Sequence, residues 1–146
     1  MPGIYVQAQR LAPVSKAFEG DMHVKSPPLL KREVDAIVKQ MEDTPPKFIV
    51  DSRKRHFPND RPPLELWPIV PPKMLGNEKP RFLKNHPQEV ATFDTAWSKF
   101  LESQIEPDEA ERYEAMKPFR DFVMNNYRIV RQYGNHILFE YLEAPR

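Results

Sequence analysis

Seventeen prolines set against four glycines decide where this chain can be regular. Proline fixes φ at about −65° and has no amide hydrogen, so it suits the first turn of a helix and is excluded from helix interiors and central strands. Prolines at 58, 62, 63, 68, 71, 72, 80 and 87 crowd one region. The stretch from Pro58 to Pro87 is therefore expected to be an ordered but irregular connection, neither helix nor central strand. A connection of that length is uncommon and is often functional. Elsewhere the prolines act as punctuation, and the regular elements lie between them.

The first strong element opens at Ser26-Pro27. Serine is a good N-cap and proline suits the first helical position. Leu30, Val34, Ile37, Val38 and Met41 then recur at helical spacing, and Asp43-Thr44-Pro45-Pro46 ends the helix. Phe48-Ile49-Val50 follows as a continuous apolar run, as expected of a strand covered on both faces. A second helix is expected from Pro87, using Val90, Phe93, Ala96 or Trp97, and Phe100 or Leu101. A third begins near Glu106-Pro107-Asp108-Glu109, where acids complement the helix N-terminus. Its apolar stripe is Ala110, Tyr113 and Met116. Pro118 is expected to kink or restart it, with Phe119, Phe122 and Val123 continuing the buried side.

Near the C-terminus, Arg128 to Tyr133 and His136 to Leu142 flank Gly134-Asn135. Two β-prone runs around a pair that tolerates positive φ form a hairpin signal. Residues 2 to 10 are candidates for a short helix stopped by Pro13, followed by a strand or loop around Gly20 and Asp21. The 146 residues read as one domain, α/β or α+β, with helices packed on a small mixed sheet and a C-terminal hairpin.

Composition excludes several functions. Basic and acidic residues number 22 and 21, so bulk electrostatics argues against wrapping nucleic acid. The chain has no cysteine, which removes disulfides, thiolate metal sites and cysteine nucleophiles together. The histidines at 23, 56, 86 and 136 show no metal-ligand spacing. The serines lack a nucleophile elbow, and no glycine-rich phosphate loop is present. No cofactor is therefore expected. No run approaches the ~20 apolar residues of a membrane helix. Read as a complete protein, the chain would be cytoplasmic; read as a fragment, it fits either side of a membrane.

Two places carry candidate chemistry. Arg53, Lys54, Arg55 and His56, with Arg61 nearby, follow the carboxyl end of the 48–50 strand, where ligands bind in open α/β sheets. Arginine forks and a lysine point charge suit phosphate or another anion; the alternative is a solvated loop paired with neighbouring acids. Asp51 closes the strand where catalytic acids sit, but acids there more often shape the turn. Trp67, set among prolines, is the candidate contact for a partner or glycan, whereas Trp97 is expected in the core.

The order of motifs resembles a known family. Pro2-Gly3-Ile4-Tyr5 leading to Arg10, then Pro45-Pro46-Lys47-Phe48-Ile49-Val50-Asp51, then Phe119-x-x-Phe122-Val123-x-x-x-Tyr127 running into the hairpin, resembles the C-terminal soluble domain of polytopic glycosyltransferases that use lipid-linked sugars. These are bacterial relatives of protein O-mannosyltransferases and aminoarabinose transferases. The resemblance implies a domain on the periplasmic face of a bacterial inner membrane, partnered with the membrane portion of its parent. It implies access to a polyprenyl-phosphate sugar or an acceptor only through that parent. The family's catalytic acids lie in loops between membrane helices, so no catalytic residue carries over. Two other readings stand beside it: an interaction subunit using the proline-rich arm, and anion or nucleic-acid binding through residues 53–61.

Overall fold

A computed structural model describes residues 25–51, 69–70, 81–82, 87–134 and 136–142. Its elements run α1 (Pro27–Asp43), β1 (Phe48–Asp51), β2 (Ile69–Val70), β3 (Arg81–Phe82), α2 (Pro87–Gln104), α3 (Pro107–Asn126), β4 (Tyr127–Tyr133) and β5 (His136–Tyr141). Every strand pair described is antiparallel. The chain is therefore α+β, with helices on a three-stranded sheet of order β1-β5-β4 and a C-terminal hairpin. Within the proline-rich stretch, β2 and β3 form a separate two-stranded pair.

The helix starts follow the prolines. Pro27 and Pro107 each occupy the first turn of a helix, where a missing amide hydrogen costs nothing. Ser26 and Glu106 precede them in extended conformation, and neither side chain caps its helix. The Ser26 carbonyl instead accepts from the amides of Leu29 and Leu30, each at 3.0 Å. Pro118 lies inside α3, which runs on without restarting. It leaves the Glu114 carbonyl without its usual helical donor.

Helix α3 is the centre of the fold. Its first half packs on α1 through Ala115 and Met116 against Leu30 and Val34, with Val38 and Phe119 alongside. Its second half packs on the sheet through Val123 against Tyr127, Ile137 and Phe139. The helix then passes into β4 without a loop, the Tyr127 amide still donating to the Val123 carbonyl. Tyr127 is buried, lies edge-on to Tyr141, and donates its hydroxyl to the Pro46 carbonyl at 2.8 Å.

The structure corrects the expectation that Phe48-Ile49-Val50 is covered on both faces. β1 is an edge strand with alternating burial. Ile49 faces the core, while Phe48 is 49% exposed and Val50 59% exposed. An unbroken apolar run states hydrophobicity but not which sides are covered.

The hairpin turns where expected, and Gly134 has φ 56°. A side chain there would meet nothing within 4 Å, so the glycine serves backbone conformation alone. Gly134→Val is expected to cost about 1–2 kcal/mol, and Gly134→Asn much less; a urea midpoint unchanged by valine would contradict this. The β4–β5 ladder shifts between Ile129 and Arg131, leaving Val130 as the extra residue of a bulge.

Candidate functional site

Titratable groups are buried most deeply on α3. Arg120 is 2% exposed, and Glu109 and Arg112 are buried on the same helix. Arg120 reaches across to Asp94 on α2, where both of its terminal nitrogens donate to the carboxylate. Tyr113, two helical turns before Arg120, donates its hydroxyl to the same carboxylate oxygen at 2.6 Å and accepts from Arg120 at 2.8 Å. Arg120 also donates to Asp121 at 3.0 Å and 2.8 Å. Lys117 Nζ stands 3.5 Å from Asp94 and 2.6 Å from Glu114.

This arrangement fixes protonation at neutral pH. Burial works against a charged Asp94, but hydrogen bonds from Arg120 and Tyr113 and the charges of Arg120 and Lys117 outweigh it. The carboxyl is held below its usual range. Burial and the bond to Asp94 push the Tyr113 hydroxyl up, keeping it protonated. Arg120 is driven further toward its charged form by Asp94 and Asp121 against the opposing effect of burial. None of the three is poised to exchange a proton near pH 7, so the cluster is a clasp between helices.

A groove of about 430 Å³ runs along the α2–α3 seam, with Asp94 and Lys117 in its lining beside Thr95, Ser98 and Glu114. Ser98 donates to Glu114 at 3.1 Å, so polar groups in the groove also bond to one another. A second clasp ties α3 to the start of α1. Arg112 binds the buried Glu109 at 2.7 Å and the Lys25 carbonyl at 2.8 Å, and Lys25 pairs with Glu33 at 2.6 Å.

The anion-binding candidates Arg53, Lys54, Arg55, His56 and Arg61, and the contact candidate Trp67, lie outside the described residues. Asp51 ends β1 at the sheet edge. Trp97 is partly buried, stacked between Phe93 and Phe100 with ring centroids 6.4 and 5.0 Å away. Its indole nitrogen is buried with no hydrogen-bond partner among the described residues.

The Asp94–Arg120 clasp was not among the residues picked out from the sequence, although a signal existed. Asp94 falls four residues after Val90, inside the apolar spacing of α2. Arg120 falls four residues after Met116, inside that of α3. A charge standing in each of two apolar stripes is a signature of a buried pair.

Among the described residues no group of three His, Asp or Glu is placed to hold a metal ion. No helix among them is long and apolar enough to cross a membrane. Compared with protein-family models, curated proteins and solved structures, the chain matches none.

Proposed function

We infer that the chain is a non-catalytic extramembrane domain of a membrane glycosyltransferase that uses a lipid-linked sugar, placed to shape acceptor or glycan binding. One observation carries the reading. The two motif segments within the described residues pack into a single unit. β1, from the Pro45–Asp51 motif, pairs with β5. Phe119, Phe122, Val123 and Tyr127 of the other motif gather around the same cluster as Ile49 and Phe139. The Tyr127 hydroxyl closes on the Pro46 carbonyl of the first motif. Segments 68 positions apart in the sequence, from Asp51 to Phe119, thus form one packed body, as expected if they define one kind of domain. The occupied hydrogen bonds of the Asp94 clasp support the non-catalytic part.

The test has two arms. The genomic reading frame upstream of Met1 is expected to encode several long apolar segments in frame; a free-standing frame counts against the reading. The purified chain is expected to transfer no sugar from a polyprenyl-phosphate donor, and turnover by the isolated chain would sink the non-catalytic assignment.

A further inference from the structure

The end of α3 packs on one face of the sheet, and strand alternation defines the other. Across that outer face, Phe48, Glu140 and Arg128 form one row, Val50, Leu138 and Arg131 the next, and His136 and Tyr133 the hairpin end. Phe48 and Val50 are about half exposed or more, as is Tyr133 at 54%. Exposed apolar groups gathered on one face mark an interaction surface.

The charges on this face are mostly of one sign. Lys47 Nζ lies 5.6 Å from the centroid of the Phe48 ring, and the Arg131 guanidinium 5.0 Å from that of Tyr133. Each exposed ring therefore has a cation at its side. Glu140 already binds Arg128 at 2.6 Å. Beside the first row, a hollow of about 480 Å³ is lined by Lys47, Arg128, Glu140 and Leu142, among others. Lys47 is the cation on its rim, since Arg128 there is paired with Glu140.

We propose that this outer sheet face docks on an anionic lipid bilayer. Phe48, Val50 and Tyr133 enter the interface, and Lys47 and Arg131 meet lipid phosphates while Arg128 stays paired with Glu140. Aromatic rings settle at the headgroup boundary, and cations beside them gain from an anionic leaflet. A second copy of the chain fits less well, because apposing two such faces brings like charges together. The inference rests on the reading of the chain as part of a membrane protein, which puts a bilayer within reach.

The experiment is co-sedimentation of the full chain with phosphatidylcholine vesicles, with and without about 30% phosphatidylglycerol. Binding is expected only with the anionic lipid, and it should weaken as salt rises from about 0.1 M to about 0.5 M. Lys47→Glu with Arg131→Glu should lower partitioning at least tenfold, taking about fivefold per cation. Phe48→Ser with Val50→Ser should lower it comparably, with unchanged circular dichroism and a cooperative urea transition, shifted only slightly, in both variants. No binding to anionic vesicles, equal binding to both kinds, or binding retained in both variants overturns the proposal. So does a concentration-dependent dimer that the serine variant abolishes, since the face would then belong to a second copy. The two readings fail separately. A free-standing gene with lipid binding intact removes only the transferase assignment, and an in-frame membrane region without lipid binding removes only the docking face.

Discussion

Replacing Arg120 by methionine is expected to destabilise the domain by about 3–5 kcal/mol. The aliphatic part is conserved in volume, so the loss comes from electrostatics. Asp94 would keep only Tyr113 and the more distant Lys117, at 3.5 Å, and a half-buried carboxylate would lose its main counter-charge. The double variant Asp94→Leu with Arg120→Met is expected to recover most of that loss, because removing both charges also removes both desolvation costs. Urea unfolding at constant m-value reads both effects. Equal stability of the wild type and the single variant would show that the clasp contributes nothing.

The clasp also sets a pH window. Asp94 is held low in the folded state, so between its folded and unfolded values the unfolded chain binds more protons. Its contribution is complete above the unfolded value of about 4 and fades as pH falls through the lower folded value. Tyr113 is raised, so its contribution is complete below about 10 and fades as pH climbs further. Stability from this cluster should therefore be flat across the neutral range and fall at both ends. The double variant should lose the part of the acid-side slope that Asp94 supplies.

The second large effect is expected in the sheet. Phe139 lies on the central strand, fully buried between Ile49 and Ile129 in the inner row. Phe139→Ala should cost about 3–5 kcal/mol through lost burial and the cavity it leaves. Phe48, on the edge strand with its ring half exposed, should tolerate serine at a cost of about 0.5 kcal/mol or less. The contrast tests the corrected placement of β1: comparable losses at both positions would restore the strand to the interior. With a typical domain stability of about 5–15 kcal/mol, the alanine variant would sit near the unfolding threshold.

How much of this was legible from sequence depends on the range of the interaction. Helix starts at Pro27, Pro87 and Pro107, and the turn at Gly134, are written within a few residues, and each appears where expected. The partner of β1 is not local: Phe48 pairs with Glu140 across most of the chain, and an apolar tripeptide does not name its neighbour. The fate of Phe48 and Val50 follows from that pairing, so their exposure was illegible too. Helix α3 was obscure for another reason. It contacts α1 on one side, α2 on another and the sheet at its end, so polar and apolar residues do not separate onto two faces. Arg112 and Arg120 are buried because partners arrive from outside the helix, and Glu109 is buried beside Arg112. The basic candidates at 53–61 and Trp67 remain readings of sequence.

The bulge at Val130 has a bearing on how relatives of this chain should be aligned. Because Val130 is the surplus residue, Ile129 points inward and Arg131 outward, as two adjacent residues of an uninterrupted strand would. A relative lacking one residue there would keep the same side chains on the same faces, with a straighter hairpin. A residue gained or lost elsewhere in β4 would exchange core for surface along the rest of the strand. Val130 is thus the position in β4 where evolution can change chain length without rewriting the pattern, and a single-residue gap in an alignment belongs opposite it.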